Sequence, residues 1–317
     1  MHQFDEGHKE FKGFSAKYAE DILPILEFME AERVAAMGQF KGDCIFIILG
    51  AIAGLFMLIT SGHNQFIFIV FVIAAILFLW RYSSHIKPVK TQTKTLLLQQ
   101  ITEFIGLSYS EHVGKPVFFA PMISHHLLPH HYDRVRFEDQ LSGHAHGANF
   151  TVIECKMEKK RKNKNGHTSW EAVFHGALFE VGFHRKFEGK ILVLRDKGWF
   201  NAKSKKTGGF SKLKRVGLAS PKFEKLFEAY GTDQVEARYI LTPTFMEALM
   251  ALEESVEGRN IRFGFFNQKL YVAIETPNRF EVGSMRKSLT DTVRTQKIID
   301  EFGALFDVID GVLNRSA

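Results

Sequence analysis

Cysteine is scarce. Cys44 and Cys155 are the two in the 317-residue chain, far apart and in unlike surroundings, which excludes a disulfide framework and any CxxC metal site. A P-loop, a GxGxxG fingerprint and a nucleophile elbow are also missing. Phosphate cradling by a glycine loop and hydrolase-type acyl transfer therefore have no local signature. Acid does not balance base: the formal charge is +6 and the pI about 9.1, which suits anionic lipid or nucleic acid without choosing between them. Tryptophan is rare at 3 against 31 phenylalanines, a balance that serves a membrane portion and a packed core alike. Mean hydropathy, −0.08, averages very unlike parts.

The most informative absence is local. From Cys44 to Gly62, "CIFIILGAIAGLFMLITSG" carries no charge, and after "HNQ" comes "FIFIVFVIAAILFLW", closed by Arg81 and Tyr82. Each run approaches the ~20 residues that cross a hydrocarbon core. So short a link forces an antiparallel helical hairpin, because backbone in lipid must satisfy its own hydrogen bonds. Gly50 and Gly54 would permit close helix contact. The link has no lysine or arginine, whereas Arg33 and Lys41 precede the first span and Arg81, Lys87, Lys90 and Lys94 follow the second. The positive-inside rule then puts both termini in the cytoplasm. The unpaired Cys155 fits a reducing compartment.

The expected layout is an N-terminal cytosolic helical segment over 1–40, a transmembrane hairpin over 41–84 (spans about 44–62 and 66–82) and a cytosolic α+β domain over 85–317. In the first part Ile22, Ile25, Leu26, Met29 and Val34 share one helical side, with Pro24 as a start or kink. "LLLQQITEFIGLSYS" reads as an amphipathic helix ending near Gly106, followed by a histidine-rich loop. "NFTVIECKMEKK", "AVFHGALFEVGFHRKF" and "KILVLRD" read as strands, the last two parted by a tight turn at "EG". "SPKFEKLFEAYG" is a helix with a serine cap and Pro221 at its first position, ending on Gly231. "EARYIL" reads as a strand, "TPTFMEALMALEESVEG" as a helix, and "IRFGFFNQKLYVAIET" as a hairpin turning at Asn267-Gln268. A helix from Asp291 to Leu313 closes the chain. Strands and helices segregate, so the class is α+β with a mainly antiparallel sheet.

Several stretches resemble an uncharacterised bacterial membrane-anchored family catalogued as domain of unknown function 3137. The resemblance rests on "SPKFEKLFEAYGTDQVEARYILTPTFMEAL" (Ser220 to Leu249) and "FHGALFEVGF" (Phe174 to Phe183), with "LLP" at Leu127 to Pro129, "FEDQLSG" ending at Gly143, and Glu154. It covers most of the chain from about Leu96. It implies a cytosolic domain behind a two-span anchor in the bacterial inner (cell) membrane, and it assigns no catalytic residue.

The segment His125 to His146 holds six of the chain's fourteen histidines. A transition metal such as zinc needs convergent ligands. His126, His131, His144 and His146 are the candidates, although adjacent histidines point apart on a strand and none of the spacings is diagnostic. An acid–base pair would draw on Glu138, Asp139 or Glu154 with a histidine, but Glu138-Asp139 adjacency separates those two carboxylates, and Glu154 calls for a structural partner such as Arg134 or Arg136. Cys155 reads as buried packing. Two basic runs, both expected in connections, stand out more: one with Lys160, Arg161 and Lys162, the other with Lys205, Lys206, Lys214 and Arg215 near Trp199, Phe200 and Phe210. Beside a membrane each such residue contributes ~1 kcal/mol of attraction to anionic headgroups. The reading favoured is a non-enzymatic, membrane-anchored cytosolic binding or scaffold protein without a cofactor. Its expected partners are the bilayer, anionic headgroups, a protein or a second copy of itself. Nucleic acid trails, for want of a recognised binding module. The alternative is a metal-dependent enzyme built on residues 125–146.

Overall fold

The computed structural model describes residues 3–63, 66–162, 166–183, 186–196, 213–255, 259–277 and 281–313. The chain divides into two compact units, Met1–Ile101 with Glu281–Ile299, and Thr102–Phe280 with Asp300–Ala317.

The first unit is helical. A 3-10 turn (Lys9–Phe11), α1 (Phe14–Lys17) and a π turn (Tyr18–Ile22) lead into α2 (Leu23–Thr60). Pro24 has no N–H to return to the carbonyl four residues back. The turn before it widens to π form, and the Leu23 N–H reaches the Tyr18 carbonyl. Phe11, Phe14, Tyr18, Ile22, Leu26 and Met29 form a fully buried stripe at helical spacing, which Val34 leaves for solvent. The stripe is fixed to the segment that follows Glu281. Arg33 grips Glu30 with two N–H bonds and donates to the Met285 carbonyl at 2.6 Å, while Glu30 accepts the Leu289 N–H at 2.8 Å.

The second apolar run and "LLLQQITEF" are one helix, α3 (Ile67–Phe104), rather than a span and a separate amphipathic helix. Pro88 lies inside it, and the helix stops before Gly106, which adopts φ +71°. Helices α2 and α3 are each long and apolar enough to cross a membrane. Phe46, Phe56, Met57 and Phe68 are exposed along them, an apolar surface that lipid would cover and water would not. Below the runs, Asp43 meets Arg81 Nε at 3.4 Å and His85 Nε2 at 3.0 Å.

The second unit is built on a sheet of nine described strands: β1 (Leu107–His112), β2 (Arg134–Ala145), β3 (Ala148–Lys162), β4 (Thr168–Gly182), β5 (Ile191–Arg195), β6 (Lys214–Val216), β7 (Phe227–Gly231), β8 (Arg259–Phe266) and β9 (Lys269–Glu275). Their order is β1-β2-β3-β4-β9-β8-β5-β7-β6, and each described pairing is antiparallel. The β8–β9 hairpin turns at Asn267-Gln268, both left-handed at φ 54° and 58°, as a two-residue loop demands. Ile153, Cys155 and Met157 of β3 pack with Phe174 and Leu178 of β4 and with Phe119 and Met122 of α4 (Phe119–Ser124).

Several local expectations are corrected. The "EG" turn does not join paired strands, because β5 pairs with β7 and β8 and not with β4. The Ser220-capped helix, α5, ends at Leu226, and "FEAYG" is β7, wholly buried between β5 and β6. "EARYIL" is helical, within α6 (Gln234–Ile240), because Asp233 caps the Val235 and Glu236 N–H groups. Helices α7 (Pro243–Ser255) and α8 (Thr292–Leu313) agree with the sequence reading.

Candidate functional site

The first basic run is not a connection. It is the far half of β3, and with β4 it forms a two-stranded ribbon. Strand β2 stops pairing with β3 at Arg134↔Glu158, and β9 stops pairing with β4 at Gly176↔Glu275. The pairs Lys159↔Glu171, Lys160↔Trp170, Arg161↔Ser169 and Lys162↔Thr168 extend beyond both limits. Directly opposed residues share a face, so Lys160, Lys162 and Trp170 lie together, and Lys159, Arg161 and Glu171 lie on the other side.

The ribbon's base is firmly held. The Lys160 N–H donates to Asp133 Oδ2 at 2.7 Å, and the Asp133 N–H to the Glu158 carbonyl at 2.9 Å. Arg134 Nε bonds Glu158 at 2.6 Å, and its guanidinium lies 3.8 Å from the centre of the Trp170 ring. That hydrogen bond, reinforced by Lys156 at 3.4 Å, holds the Glu158 carboxyl below the usual carboxylate range. Arg134, expected as one partner for Glu154, is thus engaged by Glu158 instead. Farther out, Arg161 pairs with Glu171. Lys160 and Lys162 are exposed, and Trp170 keeps 42% of its surface in solvent. An exposed indole beside ammonium groups matches the composition of a membrane-interface contact. From the second basic run, Lys214 and Arg215 lie on the edge strand β6; Lys205, Lys206, Trp199, Phe200 and Phe210 lie outside the described residues.

The histidine segment takes three roles. His125 stacks on Phe266 with ring centroids 3.9 Å apart, and burial lowers its pKa. His126, left-handed at φ 61°, bonds His130 side by side. Burial, with His131 nearby, lowers the His130 pKa as well. His144 and His146 belong to the β2–β3 hairpin: His144 Nδ1 meets Asn149 at 2.9 Å, and His146 pairs with Asp310 and stacks on Phe306. His126, His144 and His146 therefore have separate partners, and His131 is exposed beside His130. Among the described residues, no group of three or more histidine, cysteine, aspartate or glutamate side chains is placed to hold a metal ion.

The carboxylates separate at a bulge between Glu138 and Leu141. Asp139, left-handed at φ 52°, is buried and accepts the Tyr109 hydroxyl at 2.6 Å. Burial, then that carboxylate, pushes the phenol well above its ordinary value. Glu138 and Glu154 instead line an open polar cavity of about 280 Å³ with Arg136, Lys156 and His175. Glu138 or Glu154 with a histidine, and Arg136 beside Glu154, are combinations the sequence suggests; Lys156 and His175 complete the grouping, whose members come from three strands. Cys155 at its floor is buried, and its thiol is pushed up to about 12, which suits packing rather than nucleophilic chemistry.

Residues 172–313 match the family described as "Protein of unknown function (DUF3137)". The DUF3137 match includes "FHGALFEVGF" and Ser220 to Leu249, whereas "LLP", "FEDQLSG", Glu154 and the six clustered histidines precede it. It begins at Ala172, the last residue of the exposed part of β4, and takes in Lys214 and Arg215. No curated protein matches the chain. A solved structure, the mycobacterial trehalose monomycolate transport factor A (TtfA), aligns at 9% identity and a TM-score of 0.32 over 68% of this chain and 94% of that one.

Proposed function

We propose that this protein is a two-span, membrane-anchored binding module whose sheet domain meets anionic headgroups through the β3–β4 ribbon. The carrying observation is that ribbon: Lys160, Lys162 and the half-exposed Trp170 share one face beyond the reach of the neighbouring strands. Such a face suits a membrane surface, where the indole enters the interface and each ammonium adds ~1 kcal/mol of attraction. The hairpin of α2 and α3 supplies the anchor, and the lysine and arginine bias supports cytoplasmic termini in a bacterial inner membrane.

Hydrogen exchange on the full chain in lipid nanodiscs tests the headgroup contact. Amides of residues 158–171 should exchange several-fold more slowly with anionic than with zwitterionic lipid, because an electrostatic contact is screened in water and lost at high salt. Lys160→Glu with Lys162→Glu should abolish the difference. Equal exchange in the two lipids would sink the headgroup reading and leave an acidic protein surface as the ribbon's partner.

The metal-dependent alternative has its own check. The purified full chain should carry no stoichiometric zinc; zinc that is present and then lost in the His126→Ala, His131→Ala and His144→Ala variants would establish the histidine segment as the functional site.

A further inference from the structure

The first unit contains a cavity of about 510 Å³ whose lining changes character from one end to the other. Met37, Phe40, Phe78 and Leu79 form the apolar end; Lys90, Ser284 and Arg286 form the polar end. Phe78 and Leu79 close the second uncharged run, and Lys90 lies about three helical turns beyond, ~18 Å along the axis. Phe40 lies one turn before the first uncharged run, and its ring meets Phe78 and Tyr82 edge-on at 5.3 and 5.9 Å. With Trp80 and Arg81 in contact at 4.7 Å, this level has the aromatic and basic residues of a membrane–water boundary.

The polar end gathers charged groups. Burial acts to raise the Glu281 carboxyl, but Lys90 at 2.6 Å and Lys94 at 3.5 Å hold it below its usual range. Arg286 adds an exposed guanidinium at the rim. Behind the rim, Arg294 is 8% exposed and donates through Nη2 to the Ser284 carbonyl at 2.8 Å. Its Nε and Nη1 are buried without a hydrogen-bond partner among the described residues. A side chain at Gly283 would approach Nη1 to 3.8 Å, so this buried charge stands directly beneath the backbone that lines the cavity.

We propose that this cavity binds one anionic phospholipid of the surrounding bilayer. Its upper acyl chain lies against Phe40, Phe78 and Leu79, and its phosphate faces Arg286 and the Gly283-Ser284 backbone. Basic pockets beside membrane helices are suited to such headgroups, and an arginine–phosphate contact can be bidentate. The proposal rests on the hairpin being a membrane anchor and is independent of the ribbon.

The full chain is reconstituted in nanodiscs with equal phosphatidylglycerol and phosphatidylcholine, released, and weighed by native mass spectrometry. One phosphatidylglycerol should stay bound with roughly tenfold preference, because phosphatidylcholine offers the same phosphate together with a trimethylammonium group that Arg286 and Lys90 repel. Arg286→Glu should bring the preference to parity. Leu79→Trp, which fills the apolar end, should lower retention of both lipids while thermal unfolding stays near that of the parent. Equal retention by the parent chain, or an unchanged preference in Arg286→Glu, overturns the site. Alkaline carbonate extraction separates the two failures: a chain that stays in the membrane without lipid preference loses only this site, and a chain that washes out loses the anchor and the site together.

Discussion

Gly176→Ala should be among the most damaging single changes in the sheet, costing about 4 kcal/mol or abolishing folding of the second unit. Gly176 sits in β4 between Cys155 of β3 and Glu275 of β9. A Cβ there would lie 1.9 Å from the Ile274 carbonyl oxygen and 2.8 Å from both Glu275 Cα and Thr276 N. These are backbone atoms of the neighbouring strand, so they can yield only by parting β4 from β9. That seam joins β1–β4 to the β9-β8-β5-β7-β6 half of the sheet. The Thr276 N–H, which donates to the His175 carbonyl at 3.1 Å, would be displaced with it. Gly182 is the matched control in the same strand: an added Cβ meets Asn149 O at 3.5 Å, ordinary contact, and Gly182→Ala should stay within about 1 kcal/mol. Thermal unfolding and protease resistance of the full-length variants in detergent provide the measurement. Equal stability of the two variants would show that β9 is not so close to β4.

What the sequence discloses follows the range of the forces involved. Uncharged length is a local property, so both long apolar helices could be read directly, and the Asn267-Gln268 turn declares itself between two apolar strands. Tertiary pairing overrode local preference elsewhere. "FEAYG" continues a helical pattern but becomes β7 because β5 and β6 flank it. The basic ribbon shows the same effect: its lysines are visible as charge, yet Lys is a weak strand former, and the register with Thr168–Glu171 imposes the strand. The histidine neighbours were illegible for a different reason. His146 pairs with Asp310, 164 positions away, and that separation has no sequence signature. The cavity of the first unit likewise joins Lys90 to Arg286 across most of the chain.

The second large effect concerns the point where the histidine segment is tied to the sheet. Leu127 is fully buried, and its Cδ1 occupies the space above Gly264 that a side chain would need, 2.8 Å from the Cβ position. Its carbonyl accepts Arg262 Nη1 at 2.9 Å, while Arg262 Nη2 bonds Glu275 at 2.8 Å. Burial lowers the Arg262 pKa and Glu275 works against that, so the guanidinium depends on both acceptors. Leu127→Ala should cost about 3 kcal/mol from the cavity it leaves. Arg262→Leu should cost about 2 kcal/mol, because the half-buried Glu275 loses its cationic partner and, among the described residues, keeps Asn260 Nδ2 at 2.9 Å as a side-chain donor. The double variant should fall short of the sum by about 1 kcal/mol, since each single change already frees the same backbone segment. Additive losses would show two independent contacts and remove the tie. A proton resonance adds a second reading: with the segment loosened, His125 leaves Phe266 for water, and its pKa should rise from its burial-lowered value toward the ordinary one. A His125 pKa unmoved by Leu127→Ala would mean that the stack on Phe266, not Leu127, holds the histidine segment in place.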